Sequence, residues 1–191
     1  MKGETIVALR DQAEISDRAL VSAVMAGDES AFRALYRRHT PRVRMLARRL
    51  LGAHDSGIDD VVQEAWIRAC RSLPTFEWRS SLSTWLCGIM IRCALESRRS
   101  RGRHDRRIQV AYDLYTYPSE DPYSRETRVD LERALEQLSD RQRFVVVLHD
   151  VEGYTHQEIA QRLGIPEGTS KSHLFRGRVA LRSILGLENG K

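Results

Sequence analysis

The stretch "THQEIAQRLGIPEGTSKSHLFRGRVAL" (155–181) decides the architecture. Thr155, followed three residues later by Glu158, has the form of a capping box, in which each side chain satisfies an open amide near the other. Ile159, Ala160 and Leu163 then fall on one side of a helix. Gly164 ends it, because a left-handed cap is cheap only for glycine. Ile165 fills the corner, Pro166 is compatible with a new helix start, and Leu174 and Leu181 anchor the second helix. This punctuation predicts a helix–turn–helix. The second helix opens on small hydroxylated residues and ends on basic ones, which suits a first turn pushed into a narrow, negatively charged groove. Thr169, Ser170 and Ser172 can donate to phosphates, and the free amides of a helix start favour anions. Lys171, His173, Phe175, Arg176 and Arg178 point away from the Leu174/Leu181 side, as candidates for base edges and backbone. The alternative for such a unit is a protein-binding three-helix domain.

Working outward, residues 128–185 read as one compact helical unit containing that motif. Before it, residues 101–126 lose helical periodicity. "YDLYTYPSEDPYS" (112–124), with its prolines, acids and tyrosines, reads as an extended tether. The N-terminal part is helical again. Ser16 and Asp17 cap a first helix that closes at Gly27. Phe32, Leu35, Tyr36, His39, Val43, Leu46, Ala47 and Leu50 form one apolar stripe, and Pro41 predicts a kink or break within it. His39 reads as a hydrogen-bonded core histidine. In "DDVVQEAWIRACRSL" (59–73), Val61, Val62, Ala65, Trp66, Ala69 and Cys70 form the buried side. Asp60, Gln63, Glu64, Ile67 and Arg71 form the other, and an isoleucine in that polar set suits a face that docks on another protein. The loop "LPTFEWRSS" (73–81) carries Phe76 and Trp78, either tucked beneath it or held out for stacking. A helix striped by Leu82, Trp85, Leu86, Ile89, Met90 and Cys93 follows. The expected fold is therefore all-α: two small helical domains joined by a flexible linker, the second a helix–turn–helix. The boundaries are an extension over 1–16, domains over 17–100 and 127–185, a linker over 101–126 and a tail over 186–191.

The chain has 191 residues and a formal net charge of +5, and the distribution of charge says more than its sum. Residues 97–107 hold six arginines against one aspartate, and residues 33–49 hold seven arginines and no acid. Such clusters make a local field that attracts phosphate. No apolar run approaches the roughly 20 residues a membrane span needs, and the opening residues do not read as a secretion signal. Cys70, Cys87 and Cys93 fit neither a disulfide framework nor zinc spacing, and read as reduced, buried cysteines of a cytoplasmic protein. The sequence offers no phosphate-cradling glycine loop, convergent carboxylates or metal spacing, so neither enzymatic activity nor a cofactor is expected. Asp59 and Asp60 are adjacent, and neighbours on a helix do not face each other.

Four stretches together resemble the extracytoplasmic-function (ECF) group of bacterial sigma factors: "GDESAFRALYRRH", "DDVVQEAWIRA", "SSLSTWLCGIMIRCAL" and "LSDRQRFVVVLHDVEGYTHQEIAQRLGIPEGTSKSHLFRGRVAL". The resemblance implies a subunit that binds core RNA polymerase, reaching its beta-prime clamp and beta flap, and directs it to promoters. Asp60, Gln63, Glu64 and Ile67 would grip the clamp. Phe76, Trp78, Arg79 and Ser80 in the loop, with Arg92, Arg98 and Arg99 on or after the next helix, would open and read the minus-ten element. Thr169, Lys171, Ser172, His173, Phe175, Arg176 and Arg178 would read the minus-thirty-five element as duplex. An anti-sigma partner is implied as well. Ser170 stands where these factors usually carry an apolar residue, which predicts a loosened start to the reader helix. Gly177 stands where alanine is common, at a helix cost of about 1 kcal/mol. The competing reading is a helix–turn–helix regulator acting on duplex DNA without polymerase.

Overall fold

Ser16 starts the first helix: its backbone is extended and its hydroxyl accepts the Ala19 amide at 3.3 Å. The computed structural model describes residues 15–105 and 126–186. The expected extension up to residue 14, most of the expected linker (106–125) and the tail from 187 lie outside the described residues. Helix α1 (Asp17–Met25) gives way at Gly27, with φ of 91°, to α2 (Glu29–Leu51), which Asp28 caps by accepting the Ser30 and Ala31 amides at 2.7 and 3.2 Å.

The sequence predicts a kink or break at Pro41, yet α2 runs through it. Pro41 is exposed, while Val43, Leu46, Ala47 and Leu50 continue the buried stripe beyond it. Burying each large aliphatic side chain is worth roughly 1.5–3 kcal/mol, so the stripe together outweighs the ~3 kcal/mol that an interior proline costs. His39 is buried and its Nε2 lies 3.1 Å from Asp17 Oδ1, the hydrogen-bonded core histidine expected.

Helix α3 (Ile58–Ser72) and α4 (Leu82–Asp105), joined through a 3-10 turn at Leu73–Thr75, pack on α2 around Leu46, Leu50, Val62, Met90 and Ile91. Helix α4 continues five residues past the expected domain boundary at 100. Arginine is a good helix former, so the arginine run prolongs the helix. Cys87 and Cys93 are buried, and burial pushes the Cys93 thiol up to about 11. Cys70 is exposed, contrary to expectation: it follows Ala69 at the margin of the α3 stripe and turns toward a surface groove.

The second unit comprises α5 (Glu126–Glu136), α6 (Asp140–Val146), α7 (His156–Leu163) and α8 (Glu167–Ile184), with a π-helical turn at Val147–Val151. The run Phe144–Leu148 is buried throughout because α6 is enclosed by α8 on one side and α2 on another. Gly177 is explained by the same packing. A Cβ there would lie 2.7 Å from Val146 Cγ2, so the glycine permits close approach of α8 to α6. Among the described residues no strand occurs.

The two units touch. Arg48 Nη2 pairs with Glu132 at 3.1 Å, the Ala53 amide donates to Glu136 Oε1 at 2.5 Å, and Arg42 Nη2 lies 3.4 Å from Glu152. Arg143 is buried at the junction, where its Nη2 donates to the Leu138 carbonyl at 3.2 Å and contacts Asp140 Oδ1 at 3.3 Å. Burial, then the neighbouring Arg98, holds its pKa below the usual arginine value.

Candidate nucleic-acid interface

The helix–turn–helix is built as its punctuation predicts. Thr155 accepts the Glu158 amide at 3.3 Å, and Glu158 Oε2 accepts the Thr155 amide at 2.9 Å. Gly164 takes the left-handed conformation, φ 65°. Helix α8 then presents Lys171, Ser172, Phe175, Arg176 and Arg178 as exposed residues, while Leu174, Ser170 and Gly177 face inward. Phe175, 70 % exposed, is a large ring held in water with no core role. Thr169 and His173 are half-buried. Burial, followed by Arg141 and Arg176, lowers the His173 pKa, so its ring is biased toward neutral. Ser172 Oγ donates to the Gly168 carbonyl at 3.0 Å, and Lys171 pairs with Glu167 at 2.7 Å.

Ser170 does not loosen the helix start. It is 0 % exposed, and its Oγ lies 3.0 Å from His156 Nδ1 on α7. A buried hydroxyl with a partner costs little, whereas an unpaired one costs about 1–3 kcal/mol.

The loop before α4 brings aromatic groups together. The rings of Phe76 and Trp78 have centroids 4.8 Å apart, and Phe76 stacks on Trp85 at 4.7 Å. The Arg18 guanidinium from α1 lies over the Trp78 ring, 4.9 Å from its centroid. Trp78 has φ of 56° and is the positive-φ residue other than glycine among those described. A bulky side chain there costs of order 1–3 kcal/mol, and such strain concentrates at functional sites. The loop rings are thus neither fully tucked nor free: each is half-buried in a shared stack. Arg79 pairs with Glu77 at 2.6 Å, and Ser80 Oγ donates to the Ser81 carbonyl at 3.3 Å. Arg92 and Arg99 are exposed on α4. Arg98 is instead drawn to the junction, donating to the Leu51 carbonyl at 2.9 Å and pairing with Asp140 at 2.8 Å.

On α3, Asp60, Gln63 and Ile67 are exposed, Ile67 at 39 %. With Phe32, Tyr36, Trp66 and Cys70, Ile67 lines an open apolar groove edged by Gln63 and Arg71. Glu64 is half-buried and tied to Arg68 at 2.6 Å, and Arg68 also reaches Glu96 at 2.7 Å. Arg68 thus ties Glu64 on α3 to Glu96 on α4. The sequence did not single out Arg18, Tyr36 as a groove residue, or the pairing of His156 with Ser170. Each depends on contacts between helices that no local pattern records. Among the described residues no group of three His, Cys, Asp or Glu could hold a metal ion, and no helix is long and apolar enough to cross a membrane.

Comparison with known proteins fits this arrangement. Residues 35–104 match sigma-70 region 2, and residues 128–181 match sigma-70 region 4. A four-helix unit with an aromatic loop, followed by a helix–turn–helix unit, thus defines a sigma-70-type RNA polymerase sigma factor. The chain is 35 % identical over 183 residues to the ECF RNA polymerase sigma factor SigM of Mycobacterium tuberculosis, covering 92 % of this chain and 88 % of that one. It is 31 % identical over 180 residues to the ECF sigma-E factor of Escherichia coli, covering 88 % and 93 %. Among solved structures, the Bartonella quintana sigma factor RpoE, in complex with the anti-sigma factor NepR, aligns with a TM-score of 0.62 at 25 % identity, over 83 % of this chain and 98 % of that one. CnrH, in complex with the cytosolic domain of CnrY, aligns at 0.52 and 25 %, over 91 % and 99 %. The chain belongs to the ECF family of RNA polymerase sigma factors.

Proposed function

We propose a division of labour for this sigma factor. Residues 17–100 bind core polymerase and the minus-ten element, 101–126 link, and 127–185 bind the minus-thirty-five element. Asp60, Gln63, Glu64 and Ile67 grip the clamp, with Tyr36 and Trp66 lining the groove that receives an apolar side chain from it. Phe76, Trp78, Arg79 and Ser80 hold unpaired bases, and Arg92, Arg98 and Arg99 hold the strand's phosphates. Arg98 leaves Asp140 to do so, exchanging one anionic partner for another. Thr169, Lys171, Ser172, His173, Phe175, Arg176 and Arg178 read duplex DNA. The factor works in the cytoplasm and performs no catalysis of its own, acting by binding and positioning. An anti-sigma partner fits the cleft between the units, where Arg98, Arg99 and Arg141 surround Leu95, Phe144 and Leu163. That lining suits an acidic amphipathic helix, and the similar Bartonella quintana RpoE is seen in complex with an anti-sigma factor.

The observation that carries this reading is the pairing, in one chain, of a strained aromatic loop with an exposed basic reader helix. The test is transcription by purified core polymerase plus this protein on fragmented genomic DNA of its source. Discrete starts sharing two spaced upstream motifs are expected. Duplex binding without discrete starts or polymerase affinity would point to a regulator that acts without polymerase.

A further inference from the structure

A run of hydrogen bonds joined through one ring stack lies behind the reader helix, and one end of it meets an exposed arginine. Ser170, buried in α8, contacts His156 Nδ1 at 3.0 Å. The His156 ring stacks on His149, with centroids 4.7 Å apart and planes 30° from parallel. His149 Nδ1 lies 2.7 Å from Asp150 Oδ1. Asp150 then accepts two bonds from Arg178, from Nε at 3.0 Å and from Nη2 at 2.5 Å. Ser170 and Arg178 are eight residues apart on α8, about 12 Å along its axis. His149 and Asp150 sit in the π-helical turn, a local irregularity that recurs at functional sites. The π turn and the start of α7 therefore clamp the reader helix at two points, and the second clamp holds the guanidinium itself.

The geometry points to Asp150 as a positioning residue that makes Arg178 a base reader, an inference resting on the proposal that α8 reads duplex DNA. Lys171, Phe175 and Arg178 lie four and three residues apart, so they share one exposed face of α8. An arginine has five N–H donors. Asp150 takes the Nε hydrogen and one Nη2 hydrogen. The Nη1 pair and the second Nη2 hydrogen stay at the outer end, and the side chain remains 47 % exposed. That outer edge matches the O6 and N7 acceptors of guanine in the major groove. A phosphate is satisfied by a guanidinium in many orientations and gains nothing from a neighbouring carboxylate, which repels it. A guanine edge requires one orientation, and a carboxylate gripping the other side of the guanidinium supplies it. Arg178, the first cause, and then His149 hold the Asp150 carboxyl below its ordinary range despite partial burial, so the anchor stays ionised at neutral pH. His149, braced by its stack on His156 and by the buried Ser170, keeps Asp150 from following the arginine.

The experiment measures binding of the full chain, in complex with core polymerase, to its mapped upstream element, to single-base-pair variants of it, and to unrelated duplex. Asp150→Asn is expected to lower discrimination at one G·C pair about tenfold, while affinity for unrelated duplex rises because a like charge has gone. Arg178→Lys, which keeps the charge and loses the fork, is expected to lower discrimination at the same pair, and Asp150→Asn added to it should change discrimination no further. Asp150→Glu should restore part of it. A melting temperature within a few degrees of the parent keeps these readouts separate from folding. If Asp150→Asn raises specific and unrelated affinity equally, Asp150 is only a like charge and the inference is overturned. If it lowers both together with the melting temperature, the role is structural and the inference is overturned as well. A parent protein that discriminates no base pair at all would instead break the duplex-reading proposal beneath it.

Discussion

The loop of the first unit and the reader helix of the second, both proposed to meet DNA, are built in opposite ways. The loop stacks Phe76, Trp78 and Trp85 on one another, holds Trp78 in a left-handed backbone and covers its face with an arginine from 60 residues earlier. The helix is regular, shows a single ring to solvent at Phe175, and braces its polar groups through His156, Asp150 and Glu167. The difference follows from the two states of DNA. An unpaired base presents a π face that any aromatic surface can accept, so the protein needs a platform whose stacks can be exchanged. A base pair in the groove presents donors and acceptors at fixed angles, so the protein needs directed groups on a rigid element.

On this proposal neither surface acts unless polymerase carries it, so the largest effect should come from the proposed docking face on α3. Charge reversal of Asp60 and Glu64 to lysine is expected to weaken core binding by roughly 100-fold or more, in the range of ~3 kcal/mol for lost charge pairs at an interface, with helicity retained. Unchanged polymerase affinity in a titration of core would remove α3 from the docking face.

Trp78→Gly separates strain from function in the loop. Glycine accepts φ of 56° freely but gives up the stack on Phe76 and the cover of Arg18, so thermal stability should stay within about 1 kcal/mol of the parent while affinity for a single-stranded minus-ten oligonucleotide falls by about 1–3 kcal/mol. A fall in melting temperature with unchanged oligonucleotide binding would make the ring a packing residue and erase the contrast with α8. Arg176→Ala tests the other side, with duplex affinity at the upstream element expected to drop by roughly 1–3 kcal/mol and sequence discrimination to drop with it. A uniform loss over all sequences would assign Arg176 to phosphate.

The smallest effect concerns how firmly the reader helix is seated. Gly177→Ala gains about 1 kcal/mol of helix propensity but must push Val146 aside, at a cost of about 1–3 kcal/mol for overpacking, so a net loss near 1 kcal/mol is expected in thermal unfolding. A stabilised variant would mean that α6 yields easily and that the helix is less rigid than the comparison requires.

What the sequence made legible was punctuation and periodicity. The capping box of Thr155 and Glu158, the left-handed Gly164, the Asp28 and Ser16 caps and the buried stripes are local rules, and the fold obeys them. Pro41 misled because local propensity was set against a stripe whose burial lies in partners on other helices. Cys70 misled by one position at a stripe margin. Ser170 and Gly177 read as defects of one helix. They are explained by a histidine on α7 and a valine on α6, which helical spacing within α8 cannot contain. Arg98, which the resemblance assigns to the minus-ten element, is held here by the end of α2 and the start of α6, contacts between units that its own helix does not record.

The central claim is that one chain meets promoter DNA in two states, single-stranded at the loop and duplex at α8. Permanganate reactivity of thymines, combined with footprinting of the assembled polymerase on a mapped promoter, tests it most directly. Expected are reactive thymines within the downstream element, a protected and unreactive upstream element, loss of reactivity but not of upstream protection in Trp78→Gly, and loss of upstream protection in Arg176→Ala. Undiminished reactivity in Trp78→Gly, or reactive thymines in the upstream element, would contradict the account.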